Sequence, residues 1–585
     1  MLLQPVPLHK EARIGGTALM SLLRLLLLSA FLILSAQGPA TDLRPRAEDA
    51  AKPVQLSDEH LAAAGRDRRI IINFDTISGD RNFGGRDPAE LVKWKFHVID
   101  AADVQIDSVW WCWGEGNVSP WPSRIMPLYD AEGYRRWKEQ GIDIAAIFAE
   151  ESRKRGIEAF YNFRINGSDN DLGPFRKVPM KLKHPEWLIH TWPGPVGLWN
   201  YAIPEVRRYK LSILREIAER FDYDGISLDF ARVCPVLPPG KAWANRDKMT
   251  DFMRKFRAIT EEAARKRGRP LLIGARIPES LEGCRFDGLD IETWVREGLV
   301  DVLALGVRSF DVDIAAFRDI AAGTHVKLYP SVDDHHASDG YATPPIDIYR
   351  GVAANWWRQG ADGIQTFNFN HAPDFPFRGV WETHLAAYRE IGSPKTLHRK
   401  NKRFVVQRRG GGHGPTVIPN PQDWSTPRWM YFNTNMLAPL PAPLANDGKA
   451  DSLFTVAVAD DLGVEREHLE RLSLRVLLSD PSAKGLPQED RLPEVTVATI
   501  GHPDSRLANI PPARGIEKLI EARLNNAHLG MPGHEGGWLV FDRLSPDLFA
   551  PGPNLVGLRL TQPRPKADDP ILIEKLEVEV RYRQP

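Results

Sequence analysis

Only three cysteines occur in 585 residues, and they match no zinc-site spacing. A cysteine-built metal centre is excluded, and one disulfide is the most the chain can form. Charge of one sign is also lacking. Lysine plus arginine and aspartate plus glutamate each number 76, so the chain has no basic surplus to release phosphate counterions. Nucleic acid is therefore not an expected partner. No Gly-x-Ser-x-Gly elbow occurs, which removes that form of serine hydrolysis, and no phosphate-binding loop occurs either. The segment from Thr76 to Gly85 follows the first strand-like run and does not spell a glycine-rich dinucleotide turn. Internal repeats and low-complexity tracts are absent.

What is present is length, tryptophan and one apolar run. A chain of 585 residues has room for two or three folding units. Its 17 tryptophans serve either to fill cores or to line sugar sites. The run from Ser21 to Ala36 is apolar, and the small residues Gly38 and Ala40 follow it. It is shorter than a comfortable bilayer span and reads as a secretory signal, with Met20 as a plausible start. Residues 1–40 are accordingly read as a signal peptide and 41–66 as a linker. The expectation is an exported protein, periplasmic or secreted, with no stable membrane insertion after cleavage. Export permits a disulfide. Cys234 and Cys284 each follow a strand-like run, and a bond between those two loops is expected.

From residue 68 onward, short β-rich runs alternate with amphipathic segments. The strands are expected at Arg69–Asp75, Val104–Trp113, Ile157–Asn166, Gly225–Phe230, Leu271–Ile277, Val302–Val307, Lys327–Val332 and Gly363–Asn370. Helices are expected between them, among them Ala145–Lys154, Glu205–Phe221, Lys248–Arg267 and Ile348–Gln359. Eight strands with intervening helices predict an α/β fold, a (β/α)8 TIM barrel over residues 67–395. After residue 395 the character changes to many short strand-like runs, with Asn525-Asn526 at a hairpin-turn position. Residues 396–585 therefore predict a C-terminal β-sandwich, jelly-roll-like.

The run Asp224-Gly225-Ile226-Ser227-Leu228-Asp229-Phe230 carries the chemistry. Ile226, Leu228 and Phe230 point one way, and Ser227 and Asp229 the other. A carboxylate at the C-terminal end of a barrel strand stands where such folds mount their catalytic groups. Other strands end in polar residues at inward-capable positions: Asn73 and Asp75, then Asn162, Arg164 and Asn166, then Arg276, then Asp333, then Asn368 and Asn370. Arg232 follows Asp229 closely, and Trp111 ends the second strand as a possible sugar-stacking platform. Arg164, Arg232 and Arg276 are each candidates to pair with Asp229, because guanidinium and carboxylate form strong bidentate pairs. Two carboxylates without an evident cofactor suit glycoside hydrolysis, in which one donates a proton and the other attacks or activates water. Asp333 ranks first as the second acid, ahead of Glu279, Glu282, Asp311 and Asp334. No cofactor or metal is expected; a metal-dependent hydrolase using Asp75, Asp229 and the cluster Asp333-Asp334-His335-His336 ranks third. A non-catalytic carbohydrate-binding barrel ranks second.

Three segments in order carry a resemblance. They are His184-Pro185-Glu186-Trp187, then Asn200-Tyr201-Ala202-Ile203-Pro204-Glu205-Val206-Arg207, then Asp224-Gly225-Ile226-Ser227-Leu228-Asp229. Together they resemble the "family 10-like" glycosyl hydrolases of bacteria, mainly over residues 155–235. The resemblance implies an exported barrel acting on carbohydrate, with the key carboxylate at Asp229. After that strand the chain reads Phe230-Ala231-Arg232-Val233-Cys234-Pro235, where the more familiar members carry Tyr-Arg-Tyr-Pro. The C-terminal strands look similar to jelly-roll modules that accompany such barrels, which implies glycan binding or simple buttressing.

Overall fold

Barrel strands in this chain form where β-branched and aromatic residues alternate with small or polar ones. They are β1 (Ile70–Asp75), β2 (Ile106–Cys112), β3 (Glu158–Arg164), β4 (Gly225–Asp229), β5 (Leu272–Ile277), β6 (Val302–Leu305), β7 (Lys327–Asp333) and β8 (Ile364–Phe367). All pair in parallel with their sequence neighbours, and β8 pairs back onto β1, so the sheet closes. The computed structural model describes residues 52–75, 84–114, 116–167, 178–190, 197–231, 235–306, 309–333, 344–367, 369, 381–408, 438–480, 515–563 and 570–583. The signal-peptide reading lies outside the described residues. Among the described residues, no helix is long and apolar enough to cross a membrane.

The helices follow from their buried stripes. In α4 (Pro204–Arg220), Pro204 opens the first turn and Val206, Ile213, Leu214 and Ile217 are buried. In α5 (Arg246–Arg267), Met249, Phe252, Met253, Phe256 and Ile259 form the corresponding stripe. Gly225 opens β4 because the Phe160 ring presses on it. A Cβ there would come within 2.4 Å of that ring.

One expectation is corrected at the N-terminal side. The stretch read as a linker contains α1 (Asp58–Ala64), with Ser57 as its N-cap. Ala64 joins Ile71, Trp110, Phe160, Leu272, Val302, Ala304 and Tyr329 in one buried cluster inside the base of the barrel. Arg68 closes that base with a bidentate pair to Glu158, both bonds at 2.6 Å. A linker composition hid this helix because it is short and only two of its positions, His60 and Ala64, are buried.

His60 anchors the helix. Asp301, at the loop entering β6, accepts from His60 Nε2 at 2.9 Å, His325 Nε2 at 2.8 Å and Arg257 Nη2 at 2.8 Å, all on Oδ1. Its Oδ2 accepts the Ile273 backbone N–H at 2.6 Å. Burial alone would push this carboxyl up. The Arg257 charge and the bonds from His325 and His60 outweigh burial and hold it well below the usual carboxylate range.

Beyond the barrel the chain forms two antiparallel sheets. The first runs β9 (Lys402–Val405), β18 (Leu572–Tyr582), β12 (Leu469–Ser479), β16 (Trp538–Phe541) and β15 (Gly533–Glu535), with β10 (Ala442–Pro443) also on β18. The second runs β11 (Ser452–Val458), β17 (Gly552–Leu560), β13 (Ile520–Leu524) and β14 (Ala527–His528). Asn525 and Asn526 take φ of 47° and 71° between β13 and β14, the positive pair that a two-residue hairpin needs. Residues 481–514, within the expected sandwich, lie outside the described residues. This module meets the barrel at the helix Ile346–Arg358. There a Cβ on Gly351 would fall 2.2 Å from the Arg403 carbonyl of β9, and Asn355 donates to Ala457 O of β11 at 3.0 Å.

Candidate active site

Strand register decides which side chains enter the barrel. Phe160 pairs with Gly225, Asn162 with Ser227 and Arg164 with Asp229. Asp229 in turn pairs with Arg276, and Phe367 with Asp333. Alternation along each strand then turns one set inward: Asn73 on β1, Asn162 and Arg164 on β3, Ser227 and Asp229 on β4, Arg276 on β5, Ser331 and Asp333 on β7, and Gln365 and Phe367 on β8. All are buried, from Arg164 at 0% exposed to Asp333 at 7%. Polar side chains thus fill the upper barrel, where a structural barrel would carry branched apolar layers.

Asp229 is held by what lies beside it. Arg276 Nη1 donates to Oδ2 at 3.2 Å and stands 3.4 Å from Oδ1, and the Ala231 N–H donates to Oδ1 at 3.1 Å. The Arg276 guanidinium lies 4.0 Å from the Phe367 ring centroid, a cation–π contact that fixes its plane. Asn162 Nδ2 donates to Ser227 Oγ at 3.2 Å. The Asn73 and Gln365 amides and the Ser331 hydroxyl have no hydrogen-bond partner among the described residues. Buried polar atoms of this kind are rare and concentrate at functional places.

Other acids stand at the same end. Glu279, two residues beyond β5, is buried, and its carbonyl accepts the Asp313 N–H at 3.0 Å. Glu282 is exposed on the short helix that follows. Asp311, on the loop after β6, is exposed to solvent, which weakens the effect of burial on its carboxyl. The protein mass crowding it, followed by the charges of Asp313 and Glu279, pushes its carboxyl up.

Two sequence expectations are corrected. Trp111 is not a rim platform. Trp110 and Cys112 take the inward positions, so Trp111 faces the helix layer. It packs there against Phe74, Phe96 and Phe148 with ring centroids 4.9–5.0 Å away, and donates to Ser152 Oγ at 3.0 Å. Among the described residues nine tryptophans are fully buried, so core filling accounts for much of the tryptophan surplus. Asn166 does not face a substrate. It lies beyond the end of β3, where Nδ2 donates to Pro235 O at 2.8 Å and Oδ1 accepts the Trp199 N–H at 2.8 Å. Both ends of its amide tie loops together. Asn166→Ala is expected to lower unfolding free energy by about 1–3 kcal/mol, because two buried backbone groups lose their partner. Urea unfolding measures this, and an unchanged midpoint and slope would refute it.

The Asp75 side chain, Arg232, Asn368, Asp334, His335, His336 and Asn370 lie outside the described residues. So does Cys234, and with it the disulfide expected to Cys284. Among the described residues, no group of three or more His, Cys, Asp or Glu side chains is placed to hold a metal ion.

The sequence reading missed a buried cation. Lys210 Nζ donates to Gly116 O at 2.7 Å and to Asn117 Oδ1 at 3.2 Å, and lies 4.8 Å from the Trp199 ring centroid. Trp199 Nε1 donates to the same Asn117 oxygen at 2.8 Å. The signal was there: Lys210 interrupts the apolar stripe of α4 between Val206 and Leu214. Phe367 was missed too, although it alternates with Gln365.

Comparison with known proteins bears on residues 89–241, which match the model described as "Glycosyl hydrolase-like 10". The glycosyl hydrolase DigH of Escherichia coli is 26% identical over 120 residues, which is 19% of this chain and 27% of that protein. The DigH of Shigella flexneri matches with the same identity and extent. The match thus spans about a quarter of the length of these curated relatives, 27%. Among solved structures, the PgaB (BpsB) glycoside hydrolase domain of Bordetella bronchiseptica aligns at a TM-score of 0.39 and 14% identity, covering 56% of this chain and 99% of that one. An alpha-amylase of Geobacillus thermoleovorans aligns at 0.36 and 11%, covering 84% and 99%. The resemblance read from His184 to Asp229 therefore holds: residues 89–241, which include β2 to β4 and Asp229, carry the glycosyl hydrolase-like 10 family pattern.

Proposed function

We propose that the chain is an exported glycoside hydrolase that cleaves a poly- or oligosaccharide with a carboxylate pair at the C-terminal face of the barrel. Asp229 acts as nucleophile or electrostatic stabiliser, and Asp333 as the proton donor. Arg276 and Arg164 orient Asp229 or the sugar, with Asn162 beside them. One observation carries the reading. Asp229 ends β4 in register between two arginines, inside an upper barrel lined by amides and hydroxyls, with Asp333 inward at the end of β7. The acid protonates the leaving glycosidic oxygen while the other carboxylate meets the developing positive charge at the anomeric carbon. A separation of about 5–5.5 Å gives retention, and about 6.5–9.5 Å gives inversion.

The test is product analysis on a panel of fluorophore-tagged oligosaccharides covering α- and β-linked glucans, galactans and N-acetylglucosamine-containing glycans. New reducing ends that appear with wild-type protein are expected. Retained binding without any new reducing end would overturn the reading in favour of a non-catalytic carbohydrate-binding barrel. That second reading draws on the engagement of both Asp229 oxygens by Arg276 and the Ala231 N–H. Export is tested by sequencing the N-terminus of protein recovered outside the cytoplasm, and a mature chain that still begins before Ser21 would rule out signal cleavage.

A further inference from the structure

We propose that Gln407, contributed by the C-terminal β-module, is a positioning residue for the barrel's active site: it fixes the loop after β6 that carries Asp311. The inference rests on the reading of the barrel mouth as a site of glycoside hydrolysis.

Gln407 follows β9, and its neighbour Val406 still bonds across to Leu576 O of β18 at 2.9 Å, so it belongs to the module's first sheet. Its side chain is buried and leaves that sheet for the barrel. Oε1 accepts two successive backbone N–H groups of the barrel, Phe310 at 2.6 Å and Asp311 at 2.9 Å. The Phe310 carbonyl is taken as well, by Trp356 Nε1 at 2.9 Å. The peptide groups around Phe310 are thus gripped on both sides, by a helix of the barrel and by a residue 97 positions away in the chain. A single amide oxygen serving two adjacent N–H groups sets the direction of the chain between them. An aliphatic side chain in its place would take this acceptor away from both donors at once.

What the grip holds is an acid at the mouth. Asp311 touches solvent, and Asp313 opens the next helix as its N-cap, accepting the Ala316 N–H at 3.2 Å. Glu279, two residues beyond β5, holds the Asp313 N–H by its carbonyl. The surrounding protein, followed by the charges of Asp313 and Glu279, pushes the exposed Asp311 carboxyl up. A carboxylate that meets substrate from a loop is useful only if the loop does not wander. Placement errors of about 1 Å cost up to about a hundred-fold in rate. The barrel alone supplies the Phe310 carbonyl contact; the module supplies the pair of N–H contacts. On this view the module is part of the catalytic apparatus rather than an appendage.

The test uses the full chain, with Gln407→Met, which keeps length and removes the acceptor, and Gln407→Glu, which keeps it. On the tagged-oligosaccharide panel, Gln407→Met is expected to lose at least about ten-fold in kcat with KM little changed, and Gln407→Glu to recover most of it. Amide exchange at Phe310 and Asp311 should quicken in Gln407→Met. Combined with Asp311→Asn, the Gln407→Met loss should largely vanish, since both act through one group. Thermal melts confirm that each variant is folded. If wild-type protein cleaves the panel and folded Gln407→Met keeps its kcat, the positioning role is overturned while the hydrolase reading stands. The same holds if the two substitutions multiply independently. If wild-type protein cleaves nothing, the hydrolase reading falls and this inference falls with it.

Discussion

Asp229→Asn is expected to abolish turnover, by at least about a thousand-fold in kcat/KM, while the protein still folds and still binds sugar. The amide keeps the shape of the carboxylate; its single oxygen, in the Oδ1 place, still accepts the Ala231 N–H and stands 3.4 Å from Arg276 Nη1, while its NH2 in the Oδ2 place faces that guanidinium donor to donor. It cannot attack an anomeric carbon or balance the positive charge that develops there. The substitution also removes one charge from a buried pair, which costs up to about 3–5 kcal/mol of stability. That cost cannot imitate the kinetic effect. With a native stability of about 5–15 kcal/mol, most of the chain stays folded after such a loss. Circular dichroism and panel kinetics on the same sample separate the two. A folded variant with wild-type activity would remove Asp229 from the reaction.

The largest loss of stability is expected far from that site. Asp301→Ala strips the acceptor from His60, His325 and Arg257 and from the Ile273 N–H at once. A buried guanidinium is left unpaired, and the expected cost is about 3–5 kcal/mol. The pH dependence has a definite sign. The folded carboxyl lies well below its ordinary value, so its contribution is complete above the unfolded value of about 4 and fades as pH falls toward the folded one. The gap between wild-type and Asp301→Ala unfolding free energies should therefore be widest above about pH 4 and shrink below it. Urea titrations across that range measure it. A gap that grows in acid would show that Asp301 does not carry the charge assigned to it.

The barrel was legible because each strand pairs a β-rich run with a following amphipathic stripe. Gly225–Phe230 and Glu205–Phe221 needed nothing further. Asp229 was legible for the same reason, since alternation with Ile226 and Leu228 turned it inward. The errors have physical sources. Barrel strands are buried on both faces, so Trp110-Trp111-Cys112-Trp113 looks alike from either side, and only register shows that Trp111 meets the helices. Alternation stops where a strand stops, which is why Asn166 could not be placed by counting from Arg164. The Asp301 cluster and Gln407 were invisible for a different reason. Their partners lie tens to hundreds of positions away, 241 for His60 and Asp301, and no local pattern encodes them. The base helix escaped because seven residues with only two buried positions, His60 and Ala64, leave almost no periodicity.

That base helix sets a floor for anyone shortening this protein. A fragment starting at residue 67, as the sequence suggests, would discard Ala64 from under Ile71, Trp110 and Phe160 and take His60 away from Asp301. It would also cut the Val54 N–H from the Glu297 carbonyl, bonded at 3.0 Å. The smallest piece that keeps its underside sealed begins at Pro53 or earlier, so expression trials that trim further should yield aggregates rather than a leaner protein.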